Sequence, residues 1–402
     1  MRARHQPAWV IVSGFCATLV GIGLARFAYT PLLPAVIADH WFSASDATYL
    51  GAANLAGYVL GALSAARLAR WLPIRALLRA LMLVTTASLV ACAWPLDFLW
   101  YCSWRLVSGA TGGALMVLAA PAVLPWIDPK RRGLASGIIF TGIGVGIAAS
   151  GLLVPHFLRD GLTSTWLYLA GISLLLTAIA WKGWPQAAAT PDTIAAGPQG
   201  QTVHSPRQLH LLSTQYALNA AGLVPHMIFL VVFIADGLGR GLAAGSHYWT
   251  AFGIGAIAGP VLAGSVADRF GYHRTLRMGL AVQAVAVAIP AVAPSPAWLL
   301  LSTVIIGAFT PGIVPLVLGR IQEMLAHRSL AEKTSAWSIA TTSFAVLQAL
   351  AAYGFSYLLV VRGSYAALFI IAAIAMLGAL LIDVLAATPV RGRPRGAAEK
   401  PD

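Results

Sequence analysis

The sequence is poor in charged residues, which make up only 10% of its 402 positions. A soluble globular chain carries roughly a quarter, so too few charges are present to cover a water-facing surface. Apolar windows recur from Val10 to Leu380, and each is long enough to cross a hydrocarbon layer of about 30 Å. The composition therefore indicates a protein that crosses a membrane many times, with the lipid bilayer as its solvent.

Cysteine and acidic residues are also scarce. The three cysteines, Cys16, Cys92 and Cys102, lie in or beside apolar segments without CxxC or His-rich spacing, which excludes a disulfide framework and indicates no zinc site. Only 13 Asp and Glu stand against 26 Lys and Arg, and no loop presents the acid, base and nucleophile cluster that catalysis requires. We therefore expect neither a metal nor a cofactor, and a membrane-bound transferase is disfavoured.

The apolar segments predict twelve membrane-spanning helices in two groups of six. Residues 185–207 between the groups are rich in Ala, Thr, Gln, Gly and Pro and lack an apolar period, which predicts a flexible linker. The predicted parts are an N-terminal bundle (1–184), the linker, a C-terminal bundle (208–387) and a tail (388–402). The predicted spans are 9–33, 46–66, 76–95, 97–124, 133–157, 164–184, 208–235, 243–266, 274–293, 297–322, 333–360 and 364–386.

The basic residues are distributed unevenly between the two ends of these helices. One side carries 21 of the 26 Lys and Arg, whereas the other carries three, Arg159, Arg240 and Arg362. Basic residues in short loops are retained in the cytoplasm, so we predict a bacterial inner-membrane protein with both termini cytoplasmic. The positive charge is spread over many short loops and does not gather on one face, which argues against nucleic acid as a partner.

The two halves resemble each other at a constant offset of 198 residues, which predicts a duplicated six-helix unit. The matched pairs are Gly57 with Gly255, Gly61 with Gly259, and Gly109 with Gly307.

A glycine- and arginine-containing motif follows the predicted eighth helix, spaced as G-x-x-x-D-R-x-G-x-x-R. Its members are Gly264, Asp268, Arg269, Gly271 and Arg274. The first glycine permits close helix approach, and the aspartate can pair with an arginine across a helix end, so the loop can latch one face shut; an ordinary basic loop is the alternative. At the equivalent positions of the first half, Arg70 and Pro73 replace the aspartate and the second glycine, which predicts an asymmetric gate.

Two further motifs lie in the first and fourth predicted helices. The fourth carries Arg105, Gly109, Gly112 and Gly113 as R-x-x-x-G-x-x-G-G, and the first carries GIGLARFAYTPLLP from Gly21 to Pro34. With the loop motif, these resemble the signatures of the major facilitator superfamily, and the first-helix motif resembles that of its YbfB/YjiJ-like branch. The resemblance implies an all-α membrane fold of two pseudo-symmetric six-helix bundles, secondary transport by alternating access, and an arginine of the fourth helix facing a central cavity.

Arg26 and Arg105 fall inside predicted helices. An arginine near mid-bilayer costs roughly 2.5 to 3.5 kcal/mol on insertion scales and keeps its charge. Each lies eight residues from the outer end of its helix, which places it about 12 Å below the outer membrane surface. We therefore expect the two arginines to lie at the same depth. Lining a cavity, they would bind an organic anion; the alternative is a fixed clamp onto a backbone carbonyl or hydroxyl.

Five more polar residues are candidates for the same substrate site: Tyr29, Asn54, Asn219, His226 and Gln348. Trp249 and Trp337 are candidate cavity walls. Hydrogen bonding between helices is the alternative for the polar residues, and a packed core histidine is the alternative for His226. Because no carboxylate is predicted at mid-helix, a coupling proton would travel on the substrate or on His226.

The preferred function is secondary transport of a small organic anion, by a monomer, with a proton as a further candidate partner. Efflux of uncharged or amphipathic compounds is the main alternative, and a membrane sensor without transport activity is another.

Overall fold

The computed structural model describes residues 7–185 and 206–387, and in these ranges twelve helices are long and apolar enough to cross a membrane. The tail predicted at 388–402 and most of the predicted linker lie outside the described residues. The helices are α1 (Ala8–Ala38), α2 (Ala44–Trp71), α3 (Ile74–Ala91), α4 (Phe98–Val123), α5 (Arg132–Phe157), α6 (Leu162–Ala180), α7 (Arg207–Ala235), α8 (Gly241–Phe270), α9 (Tyr272–Val292), α10 (Pro296–Met324), α11 (Leu330–Arg362) and α12 (Tyr365–Ala387).

All twelve predicted spans correspond to helices, but several helices extend beyond the apolar stretch. The clearest case is α2, which was predicted to end at residue 66 and continues to Trp71. The Ala, Arg and Leu residues that follow the apolar part favour helix wherever they lie. The helix stops only at Leu72, which is extended because the following Pro73 disfavours helical geometry in the residue before it.

The connections divide into two faces. The face that carries Arg70, Arg75 and Lys130, together with the α8–α9 and α10–α11 connections, is called the basic face below. The opposite face, which carries Asp39 and Asp97, is called the far face. With this definition α1 begins at the basic face, and each later helix crosses in the opposite direction to the one before it.

Helix packing confirms the duplication at the offset of 198 residues. In the first half, three glycines leave no room for a Cβ because a neighbouring backbone lies there: Gly57 against Leu106, Gly61 against Ala110, and Gly109 against Asn54. The second half shows the same contacts 198 positions later: Gly255 against Val304, Gly259 against Ala308, and Gly307 against Phe252. The α2–α4 and α8–α10 pairs therefore pack through equivalent residues.

Helix α5 carries two stripes of small residues, one of which joins the two bundles. One stripe meets α8 of the other bundle, where Gly137 lies against Pro260 and Gly144 against Ala256. The second stripe meets α1, where Gly142 lies against Phe15 and Thr18, and Gly146 against Gly23. Gly151, nearer the end of the same helix, has no neighbour where a Cβ would lie.

The interior near the basic face is filled by a plug of large side chains from both bundles. Its members are Tyr58 of α2, Met116 of α4, Tyr216 of α7 and Trp337 of α11, all buried. The Trp337 indole N–H donates to the Met116 carbonyl at 3.2 Å, and the Trp337 ring stacks on Tyr216 with 6.0 Å between centroids. The bundles are therefore closed against each other on this side.

Candidate binding cavity between the bundles

A cavity of about 200 Å³ lies on the far side of the plug and is shared by both bundles. Thr30 at its rim is exposed, as is Ile228. Drug-sized ligand pockets measure about 300 to 1,000 Å³, so this cavity suits a small solute. Helices α1, α2, α4, α7 and α11 line it with Arg26, Phe27, Tyr29, Thr30, Gly51, Asn54, Leu55, Arg105, Val224, Met227, Ile228, Gln348 and Ala352.

Arg26 lies in a π-helical segment of α1, Leu19–Phe27, between two α-helical parts. Its Nη2 donates to Oε1 of Gln348 in α11 at 2.8 Å, which joins the two bundles. The guanidinium also lies 5.3 Å from the centre of the Phe27 ring and 5.4 Å from that of Tyr58, within the range of cation–π attraction. Arg26 is half-buried, and it faces the cavity.

Arg105 of α4 is held more firmly and is only 1% exposed. Its Nη1 donates to the Ala25 carbonyl at 2.9 Å, and its guanidinium lies 4.2 Å from the centre of the Tyr29 ring. Its Nε has no hydrogen-bond partner among the described residues. The predicted clamp onto a backbone carbonyl is therefore present, but it uses one of five N–H groups and leaves Arg105 on the cavity wall.

Tyr29 and Asn54 fix the wall around Arg105. The Tyr29 hydroxyl donates to the Ala47 carbonyl at 2.8 Å, and Asn54 Nδ2 donates to the Arg105 carbonyl at 3.1 Å. The Asn54 bond spans the close α2–α4 contact that Gly109 permits. Both side chains position the site and also line it.

The cavity lining contains two arginines and no carboxylate among the described residues. Asp383, near the basic end of α12, accepts a hydrogen bond from Arg277 Nε at 2.5 Å and lines a different pocket at the basic end of the C-terminal bundle. An arginine cannot lose its proton in a protein. The cavity therefore presents an uncompensated positive charge.

The structure places His226 away from the cavity, in the core of the C-terminal bundle, where it is fully buried. The Ser302 hydroxyl donates to the Ala286 carbonyl at 2.6 Å, so it accepts from His226 Nε2 at 2.8 Å. The proton consequently lies on Nε2, and Nδ1 has no partner among the described residues. The structural alternative stated for His226, a hydrogen-bonded core histidine, describes this geometry.

Asn219 and the two candidate tryptophans also lie outside the cavity lining. Asn219 Nδ2 donates to Gln283 Oε1 at 2.9 Å inside the C-terminal bundle. Trp249 stacks on Phe252 with 5.0 Å between centroids, whereas Trp337 belongs to the plug. Five of the seven predicted substrate residues therefore line the cavity, namely Arg26, Tyr29, Asn54, Arg105 and Gln348.

The loop motif after α8 makes a contact other than the predicted ion pair. The Asp268 carboxylate accepts the backbone N–H groups of Gly133 and Leu134, each at 2.8 Å, so it caps the first turn of α5 in the other bundle. Gly264 lies directly against Gly133, and Gly271 ends α8 at φ +83°. Arg269 and Arg274 are exposed. The expectation of an Asp–Arg pair was wrong because helix N-terminal N–H groups are themselves strong partners for a carboxylate.

Sequence reasoning missed three residues that contact Arg26 or Gln348, namely Phe27, Tyr58 and Met227. Tyr58 lies four residues after Asn54, on the same face of α2, and this spacing could have indicated it. Met227 accepts from Gln348 Nε2 at 3.4 Å; it follows His226 in a second π-helical segment, Pro225–Phe229. Such π segments frequently mark functional sites, but no sequence signal distinguished them here.

Comparisons with known proteins agree with this architecture. The sequence profile of a family described as "Uncharacterised MFS-type transporter YbfB" matches residues 18–384. A "Chloramphenicol resistance protein" from Streptomyces lividans is 24% identical over 273 residues, covering 65% of this chain and 67% of that protein. Among solved structures, the human organic anion transporter MFSD10 (TETRAN) aligns with a TM-score of 0.73 at 15% identity, covering 94% of this chain and 99% of that one. The transporter FucP in its outward conformation aligns with a TM-score of 0.73 at 14% identity over 96% and 100% of the two chains.

Proposed function

This chain belongs to the MFS-type transporter family of YbfB, and from that premise we propose that it carries a small organic anion across the membrane by alternating access. The observation that supports the anion is the pair of guanidinium groups, Arg26 and Arg105, on one cavity wall without a carboxylate in the described lining. Guanidinium groups match the geometry of carboxylates. The volume of about 200 Å³ favours a small substrate.

The alternating-access mechanism uses the contact between the bundles. The plug and the Asp268 cap close the basic face, and the cavity lies toward the far face. Basic loops stay in the cytoplasm, so this conformation faces outward. Breaking the α5–α8 contact and closing α1 and α2 against α7 and α8 gives the opposite state, in which the arginines meet the cytoplasm.

Transport in proteoliposomes tests the proposal. Radiolabelled succinate, pyruvate and benzoate serve as anions, and glycerol serves as a neutral solute. We expect uptake of at least one anion and its loss, by about 100-fold, in Arg26→Gln and Arg105→Gln, because each charge-assisted contact of a guanidinium with an anion is worth roughly 1.5 to 3 kcal/mol. Arg362→Gln removes the same charge from an exposed site at the end of α11 and keeps the wild-type rate. Wild-type uptake in both cavity variants contradicts the proposal.

Export of an uncharged compound is the second candidate, because the Streptomyces relative is described as a chloramphenicol resistance protein. The cavity wall also carries apolar groups, among them Leu55, Val224 and Met227. Growth of an expressing strain on chloramphenicol separates the two functions. Resistance that persists in Arg26→Gln supports export of the neutral drug, whereas anion uptake that disappears in the same variant supports the first candidate.

A further inference from the structure

The hydrogen bond between Arg26 and Gln348 lies inside the cavity and crosses from one bundle to the other. Gln348 is 5% exposed and lies midway along α11, on the far side of Trp337. The bond therefore occupies the place where a solute must make contact with both bundles.

The chemistry of the two groups fixes the orientation of the Gln348 amide. A guanidinium has donors and no acceptor, so Gln348 must turn Oε1 toward Arg26, as the 2.8 Å contact shows. The amide nitrogen then points to the sulfur of Met227 at 3.4 Å, which is a weak acceptor. Phe27 and Tyr58 contact the guanidinium through their rings and leave the acceptor role to Gln348.

The neutral amide oxygen of Gln348 accepts the hydrogen bond of the Arg26 guanidinium but does not neutralise the positive charge of that guanidinium. The Arg26–Gln348 bond is charge-assisted on the donor side only. A carboxylate adds the Coulomb attraction of opposite charges and can accept two parallel N–H groups of the guanidinium, so its oxygen competes well against Oε1, whereas the oxygen of an uncharged solute does not. This difference favours an anion over a neutral solute at Arg26.

Resting on the proposed function, we infer that Gln348 is a placeholder for the substrate. Its Oε1 holds the position at Arg26 Nη2 that one oxygen of the anionic group takes on loading. Binding then exchanges an internal contact between the bundles for a contact with the substrate. Gln348 thus sets the preference for negative charge and releases α11 from α1 when the cavity is filled.

Two variants of almost equal size test this role. Gln348→Glu supplies a tethered carboxylate that pairs with Arg26, so it should weaken anion binding by at least about tenfold. Gln348→Met keeps the length of the side chain and removes the competing oxygen, so anion binding should tighten by roughly three- to tenfold. Isothermal titration of the purified full-length protein with succinate, pyruvate and benzoate gives the dissociation constants.

The outcomes separate this inference from the proposed function. If the wild type binds none of the three anions and transports none, the proposed function is overturned. If the wild type binds an anion and Arg26→Gln does not, the function stands, and the two Gln348 variants decide the rest. Weaker binding by Gln348→Met makes Gln348 a direct ligand, and unchanged binding by Gln348→Glu shows that its oxygen does not occupy the anion position; either result overturns the placeholder.

Discussion

Arg26 and Arg105 have the same charge and line the same cavity, yet their surroundings differ. Arg105 is buried, donates to the π segment of α1 through Ala25, and lies over Tyr29. Arg26 is half-buried and is held by one neutral oxygen and two rings. Arg105 therefore supports the fold and the cavity wall together, whereas Arg26 is the group that we propose a solute contacts directly.

Lysine substitutions separate these two roles. Arg105→Lys loses the planar fork that reaches the Ala25 carbonyl and stacks on Tyr29, so its melting temperature in detergent should fall by about 5 °C or more. Arg26→Lys leaves a charge in a cavity that is open to water, and its melting temperature should stay within about 2 °C of the wild type. Thermal unfolding measured by intrinsic fluorescence compares the variants. Equal losses would show that both arginines are structural.

Sequence reasoning located the cavity residues better in the first bundle than in the second. Arg26 and Arg105 were found because a charge inside an apolar helix is rarely tolerated in contact with lipid. His226 and Asn219 are equally polar, but they hydrogen-bond within the C-terminal bundle. The offset of 198 residues predicts which helix carries an equivalent residue and how deep in the helix it lies. It does not predict which face of the helix the side chain occupies, and the π segment Pro225–Phe229 rotates that face locally.

Helices α5 and α11 begin at equivalent places in the two halves, but their first turns are capped differently. Asp268 of the opposite bundle caps α5. Helix α11 carries its own capping box, in which Ser329 and Glu332 exchange hydrogen bonds. Arg70 occupies the position where an equivalent of Asp268 would stand. The asymmetry predicted from the missing aspartate therefore has a specific structural form. A carboxylate of the opposite bundle caps α5, and no equivalent carboxylate of the opposite bundle caps α11 among the described residues.

Two carboxamide variants test the consequence of this asymmetry. Asp268→Asn removes the charge that caps α5, which costs roughly 1 to 2 kcal/mol of contact between the bundles and should shift the population away from the state closed at the basic face. Glu332→Gln removes a comparable cap within one helix and should leave the distribution unchanged. Distances between spin labels on the basic ends of α5 and α8 report the shift, and identical distributions for wild type and Asp268→Asn would contradict a latch.

At the scale of elements, the spans were predictable because apolar length is a direct consequence of bilayer thickness. The irregularities within the spans were not predictable in the same way. Helix α1 contains the long π segment Leu19–Phe27, which packs through Gly23 onto Gly146. The mean hydropathy of a sequence window does not reveal such a segment, because a π turn and an α turn can have the same composition.

The orientation of the whole molecule can be tested with single cysteines. Lys130→Cys lies on the basic face and Arg159→Cys on the far face, and both positions are exposed. With Cys102 replaced by serine, a maleimide that cannot cross membranes should label the Arg159→Cys protein in intact cells, and should label the Lys130→Cys protein only after the cells are opened. Labelling of the Lys130→Cys protein in intact cells would reverse the orientation.

For the whole molecule, composition, repeat and loop motif were sufficient for the fold, and the family match confirms it. The conformation could not be predicted from the sequence, because under the proposed alternating access the same residues must satisfy both states. The plug of Tyr58, Met116, Tyr216 and Trp337 is an example. Its members are apolar or aromatic in either state, and only the structure shows that they are packed together at the basic face.

The two unneutralised guanidinium groups have an electrical consequence. Under the proposed anion transport they remain ionised in both states, so the empty carrier bears a larger positive charge than the carrier loaded with an anion. A membrane voltage exerts about 2.3 kcal/mol on each elementary charge per 100 mV. The inside-negative potential of a living cell therefore acts differently on the loaded and empty steps of the proposed cycle. The carrier's own charge cancels over a complete cycle, so the net charge moved is that of the anion, and the potential opposes entry of the anion and favours its exit.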